Sequence, residues 1–328
     1  MNGREFLARF LVLGAALAAI AIPLALWWRV PLVHAQMAEN GGWSPDAFRA
    51  TVGVPLRLRL TSDDVMHGFA VGQHDAPAVD ILPGQVTEVT LLFDQPGTYT
   101  YYCTRWCGLN HWRMRGTIEV TGSGVEEQRT SVPIYAQLGL DLDAPRAVEQ
   151  LPTRKPVAQI SSGSAGADLT AYQSVGYYRA NSPYAVWQQL REDLAHADRD
   201  DQQLWDLTAS LWGGNTTPEA VERGALLYAQ NCAACHGEGG RGDGVFADDL
   251  AEAGTMSELA DGAVRSMIQV PANLTDPAKM LDASPALLQG KILRGGMGTG
   301  MPSWGQIFTE EQTWDLVAYL YSFQFEYR

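Results

Sequence analysis

The sequence predicts a multidomain chain: an N-terminal transmembrane helix, then an all-β domain, then an all-α domain. Three observations lead there. Phe10 to Trp28 carries no charge and is about as long as a helix needs to be to cross a bilayer core of ~30 Å. Residues 45–122 hold short alternating runs broken by Pro-Gly turns, and from Ser182 to the end the apolar pattern is helical.

The elements follow in order. Residues 1–5 read as a cytoplasmic N-terminus and 6–28 as the membrane helix, with Trp27 and Trp28 as interface anchors. The alternative is a cleaved signal peptide, because Val33-His34-Ala35 loosely resembles a cleavage site; both readings send the rest of the chain out of the cytoplasm. Leu56 to Leu60 alternates as a half-buried strand. Val86 to Phe93, Thr98 to Tyr102 and Gly116 to Val120 are further strands, separated by Pro83-Gly84 and Pro96-Gly97. Such spacing suggests a small sandwich or barrel. Residues 123–182, with Pro152, Pro156 and a Ser/Gly run, read as linker.

An internal echo follows. DQQLWDLTASLW at 201–212 and EEQTWDLVAYLY at 310–321 share Gln, Trp, Asp, Leu, Ala and Leu in register. Asp200 with Gln203, and Thr309 with Gln312, stand at capping-box spacing. Ser182-Pro183 likewise echoes Ser284-Pro285. Residues 183–213 read either as a degenerate, now structural half of the last domain or as unrelated amphipathic helices of similar composition. Residues 214–328 form the last domain.

The chain has 328 residues and a formal net charge of −14. That balance argues against nucleic acid and fits a cationic redox partner or plain solubility. Its 4 cysteines form two tight pairs far apart, which is not a disulfide framework. Cys103, Cys107, His111 and Met114 follow C-x3-C-x3-H-x2-M, and His67 lies upstream. Two thiolates, two imidazoles and a thioether suit copper. A mononuclear blue-copper site needs only one Cys, so the extra sulfur is explained if both thiolates bridge two copper ions. Such a centre transfers electrons and implies no open position for a substrate. A Cys103–Cys107 disulfide is the plain alternative, but it leaves the His and Met spacings without a purpose. A copper chaperone would account for neither the all-β surroundings nor the haem motif below. His34 and His74 read as exposed loop residues.

Residues 45–122 resemble the CuA cupredoxin domain of subunit II of haem–copper oxidases, on DVMHGFAV at 64–71, ILPGQVTEV at 81–89 and YCTRWCGLNHWRMRGTIEV at 102–120. The single membrane helix is similar to that of the B-type oxidases. The resemblance implies a Greek-key sandwich with copper ligands His67, Cys103, Cys107, His111, Met114 and the backbone carbonyl of Arg105. Most relatives carry Glu where Arg105 stands, and that carboxylate helps hold a magnesium ion against subunit I. An arginine side chain does not do this. The same copper motif occurs in nitrous-oxide reductases, whose propeller domain has no room here, and in some nitric-oxide reductases.

Cys232-Ala233-Ala234-Cys235-His236 is the C-x-x-C-H attachment motif of haem c. Its two thiols reach the haem vinyl groups as thioethers, and His236 is the proximal iron ligand. Thr217 caps the helix before it, with Pro218 in the first turn; Trp314 and Tyr319 of the last helix are expected to cross it at Gly224. Residues 218–323 resemble a class I cytochrome c. Met301, before Pro302, is the expected sixth ligand, and Met297 is the alternative. A Met/His pair raises the haem potential.

Together the resemblances imply a single-pass membrane subunit with its redox domains on the extracytoplasmic side. It would take electrons from cytochrome c or another one-electron donor and pass them through haem c and CuA to a catalytic haem–copper subunit I. The electron-entry subunit of a CuA-type nitric-oxide reductase and a free-standing membrane-anchored shuttle are the alternatives.

Overall fold

The computed structural model describes residues 12–13, 30–108, 110–123, 132–145, 147–158, 169–250, 270–296 and 300–328. The expected membrane helix, 6–28, lies outside the described residues except for Val12 and Leu13. Among the described residues no helix is long and apolar enough to cross a membrane. The chain divides into two compact units, at residue 127.

The first unit is a two-sheet β structure. One sheet contains β1 (Leu32–Ala35), β2 (Trp43–Ser44), β4 (Leu56–Ser62) and β7 (Thr87–Leu91), in the order β2-β1-β4-β7. The other contains β3 (Ala47–Thr51), β5 (His67–Val71), β6 (Val79–Ile81), β8 (Gly97–Tyr102) and β9 (Arg115–Thr121), in the order β3-β9-β8-β5-β6. β1 runs parallel to β4, and β3 parallel to β9. The core between the sheets includes Val33, Leu58, Leu60, Phe69, Ile81 and Tyr101. Trp43 meets Phe69 and Tyr101 edge-on at 5.9 and 5.5 Å, an arrangement that aromatic quadrupoles favour.

The four expected strands are present, but the sheet begins earlier than residue 45. His34 lies in β1, not in a loop, and its Nδ1 is 2.8 Å from Asp63 Oδ1. His74 also has partners, with Nε2 3.1 Å from the Leu92 carbonyl and its ring edge-on to Phe93. The alternation of β4 breaks at Arg59, which is buried. β4 is an interior strand, and Arg59 Nε donates to the Val30 carbonyl at 3.2 Å, so the guanidinium has a partner under cover.

The second unit is mostly helical. Its helices are α1 (Ile134–Gln137), α2 (Val175–Ala180), α3 (Pro183–Glu192), α4 (Asp201–Gly214), α5 (Pro218–Asn231), α6 (Ala233–His236), α7 (Pro277–Met280), α8 (Pro285–Arg294) and α9 (Glu310–Tyr321). The sequence echo extends to local geometry. Ser182 and Ser284 cap α3 and α8, each ahead of a proline. Both expected capping boxes form, Asp200 with Gln203 on α4 and Thr309 with Gln312 on α9, so each satisfies orphan helix-end donors reciprocally.

Part of the segment read as linker is folded. β10 (Val157–Ala158) pairs in parallel with β11 (Glu326–Tyr327). Val148 N–H donates to the Ala278 carbonyl at 2.9 Å, and Arg294 holds both oxygens of Asp143 at 2.7 Å.

The crossing of α5 and α9 frames the second candidate site. A Cβ at Gly224 would stand 2.1 Å from the Asp315 carbonyl oxygen and 2.8 Å from Tyr319 Cβ, so only glycine admits this approach. Tyr319 is at the crossing as expected, but its companion there is Asp315. Trp314 instead lies under the Arg179 guanidinium, 4.0 Å from the ring centroid. Arg223 clamps the two helices, with Nε 2.7 Å from Asp315 Oδ2.

Candidate copper and haem sites

The first site grows from a wide β hairpin. The β8–β9 ladder ends at Tyr102 opposite Arg115, and one residue further on Cys103 N–H donates to the Met114 carbonyl at 3.1 Å. The ligand loop 103–114 is therefore fastened at both ends by adjacent strands. His67 enters from β5, which pairs with β8 through Ala70 and Val71.

These elements bring the expected donors together. Cys103 Sγ and Cys107 Sγ are 3.9 Å apart. Cys103 Sγ lies 3.8 Å from His67 Nδ1, and Cys107 Sγ lies 3.6 Å from His111 Nδ1. Met114 Sδ is 3.1 Å from Cys107 Sγ, and the Arg105 carbonyl oxygen is 3.1 Å from Cys103 Sγ. Among the described residues, His67, Cys103 and Cys107 are the His, Cys and acidic side chains whose ligand atoms cluster closely enough to hold a metal ion. Both cysteines are free and buried. The donor set fits a pair of copper ions: two sulfurs in the centre, an imidazole beside each, and a weak donor on either flank.

The electrostatics favour metal binding. The sulfur pair releases one proton readily, because the Cys107 thiol and the two imidazoles stabilise the Cys103 thiolate against the cost of burial. The Cys103 charge then holds the second thiol high, with burial adding to it. Cations at this position would remove the remaining proton. Asp64, to which the sequence reading gave no role, aims His67: Asp64 Oδ1 is 2.7 Å from His67 Nε2, which turns Nδ1 toward the sulfurs. Burial opposes the Asp64 charge, but hydrogen bonds from Met37 N–H, the His67 ring and Val65 N–H bring its carboxyl down to about 2. A carboxylate behind a ligand imidazole fixes its tautomer and orientation. The side chain of Arg105 turns to Asp80, with Nε to Oδ1 at 2.8 Å and Nη2 to Oδ2 at 3.1 Å.

The second site forms where α5 ends. Thr217 caps α5, with Pro218 following. Cys235 and His236 N–H both donate to the Cys232 carbonyl, at 3.1 and 2.9 Å, and so wind the motif into α6. His236 Nδ1 is 3.0 Å from the Ala272 carbonyl, a bond that makes Nδ1 the donor and leaves Nε2 with a free lone pair. Burial lowers the pKa of the ring, against the pull of that carbonyl, and so keeps the imidazole neutral. Tyr228 OH donates to the Gly237 carbonyl at 2.8 Å. Both cysteines are free; burial pushes the Cys232 thiol up to about 12 and the Cys235 thiol up to about 11. Two unpaired thiols and an imidazole with one open nitrogen fit thioether attachment of a haem. Met301 lies part-buried in the loop after α8, where Gly296 N–H donates to its carbonyl at 3.0 Å. Met297 lies outside the described residues. The Ala272 carbonyl has no counterpart in the sequence reading, since a backbone acceptor carries no residue signal.

Each site falls within a segment that matches a family model. Residues 48–121 match the family model described as cytochrome C oxidase subunit II, periplasmic domain. Residues 219–320 match that of cytochrome C oxidase, cbb3-type, subunit III. Two cytochrome c oxidase subunits 2 from Thermus thermophilus are each 39% identical over 79 residues, 24% of this chain. The chain spans 58% of one of these relatives and 46% of the other. The periplasmic domain of cytochrome oxidase subunit II of Bradyrhizobium japonicum aligns at 26% identity with a TM-score of 0.22, covering 24% of this chain and 55% of that one. Residues 48–121 thus resemble a subunit II periplasmic domain, and residues 219–320 resemble subunit III of a cbb3-type cytochrome C oxidase.

Proposed function

We propose that this chain, in which a subunit II periplasmic domain and a cytochrome c domain are joined, is the electron-transfer subunit of a membrane haem–copper oxygen reductase. Its residues would relay electrons from a one-electron donor, through haem c and CuA, to a catalytic subunit I. The observation that carries the reading is the paired sulfurs 3.9 Å apart, each beside its own imidazole nitrogen at 3.8 and 3.6 Å.

When bound, the copper pair and the haem each take up and release a single electron. The chain's residues do the rest. Cys103, Cys107, His67, His111, Met114 and the Arg105 carbonyl would hold the metals. A loop fastened by β8 and β9 resists rearrangement on reduction. Cys232 and Cys235 would tether the porphyrin as thioethers, and His236 Nε2 and Met301 would supply the protein ligands to its iron. Residues 6–28 anchor the chain in the cell membrane, with both units on the extracytoplasmic side. Residues 183–213 are the structural remnant of a second cytochrome half, a reading supported by the matched caps of α3–α4 and α8–α9.

The test is to purify the full chain from its native membrane. The proposal expects copper and haem c on the chain, a co-purifying multi-helix subunit, and oxygen consumption by the complex. Consumption of nitric oxide in place of oxygen would assign the chain to a different reductase. Isolation without any catalytic partner would make it a free-standing shuttle.

A further inference from the structure

The Arg105–Asp80 pair lies beside the copper ligands and is unlike an ordinary surface ion pair in what it crosses. β6 pairs with β5 so that His67 faces Ile81 and Gly68 faces Asp80. Arg105 comes from the ligand loop and reaches Asp80 over Gly68. A Cβ at Gly68 would be 2.0 Å from Thr104 Oγ1, 3.1 Å from Arg105 Cγ and 3.2 Å from Arg105 N, so the loop lies directly on this bare backbone. Gly68 N–H also points at Cys103 Sγ, 3.5 Å away. At the far end of the side chain both Asp80 oxygens are engaged, at 2.8 and 3.1 Å. A planar guanidinium held at two points fixes the orientation of its stem far better than a single contact does. With the stem pinned, the Arg105 peptide is left with its carbonyl 3.1 Å from Cys103 Sγ.

We infer that Asp80 is a positioning residue for copper: through the Arg105 guanidinium it holds the Arg105 carbonyl toward the metal pair. The inference rests on the copper reading above. The pair is half-exposed, at 53% and 47% of side-chain area, and such pairs add little to folding. Its effect therefore belongs to the geometry of the loop, not to the stability of the sandwich.

The experiment uses the full, copper-loaded chain and records its near-infrared absorption, its EPR hyperfine splitting and the rate at which a chelator strips its copper. Asp80→Ala is expected to shift both spectra and to speed copper loss about tenfold, the lower end of what losing an outer-shell partner typically costs. The haem spectrum should stay as in the parent. Glu88→Ala, which removes the Arg57–Glu88 pair on the other sheet, should change none of these. The charge-swapped variant Asp80→Arg with Arg105→Glu should restore the parent spectra and most of the copper retention. Parent-like spectra and stripping rate in Asp80→Ala would overturn the inference, and so would failure of the swapped variant to restore them. Absence of a mixed-valence copper signal in the parent chain would overturn the copper reading itself, and this inference with it.

Discussion

A ligand histidine has two ring nitrogens, and at His67 each has its own neighbour: Nε2 lies 2.7 Å from Asp64, and Nδ1 faces Cys103. Asp64→Asn keeps the shape but removes the charge behind the ring. It should weaken copper binding about 10–100-fold, read by competition against a chelator of known affinity. Cys107→Ser removes one central sulfur, and the near-infrared band of the copper pair should disappear while the haem spectrum stays intact. A surviving band would deny Cys107 its bridging place. At the other site, Met301→Leu should lower the haem potential, since a thioether ligand raises it, and Met297→Leu should leave it unchanged; redox titration decides, and the reverse pattern would exchange the two methionines. Most of the donor cluster was legible because the expected copper ligands from Cys103 to Met114 and the C-x-x-C-H run from Cys232 to His236 are each contiguous. Asp64 was not, since an acid three residues before a histidine is common and acquires meaning only when the strand start brings it onto the ring. The Ala272 carbonyl lies far from His236 in sequence and has no side-chain signature at all.

At the scale of elements, caps and crossings were legible where a short spacing encodes them. Asp200 with Gln203 and Thr309 with Gln312 could be read directly, because a capping box is local. Gly224 marked a close approach and Tyr319 meets it as expected, but the other contact is the Asp315 backbone, and Trp314 points elsewhere, to Arg179. Gly224→Ala should therefore destabilise the helical unit by about 1–3 kcal/mol, the usual cost of overpacking, measured by urea unfolding of the haem-loaded chain. An unchanged midpoint would mean that α5 and α9 separate at little cost. The folded parts of 132–158 were not legible. They are held by tertiary contacts with no period: Asp143 to Arg294, Arg154 to Asp206, Lys155 Nζ to the Ser322 carbonyl at 2.7 Å, and a two-residue strand beside the chain end. The early strand β1 escaped notice for a related reason. Four residues paired to β4 show too few alternations to be recognised alone.

At the scale of the whole molecule, the division into a β unit and a helical unit was legible from the change of hydrophobic period. The two candidate sites were legible from two cysteine pairs in different units. The proposed function stands on Cys103 and Cys107 sharing two metal ions in the first unit, because a single copper there would suit a mononuclear carrier instead. The most direct test is the EPR spectrum of the copper-loaded full chain. The account predicts hyperfine structure from one unpaired electron spread equally over two copper nuclei. The hyperfine pattern of a single copper nucleus would contradict it.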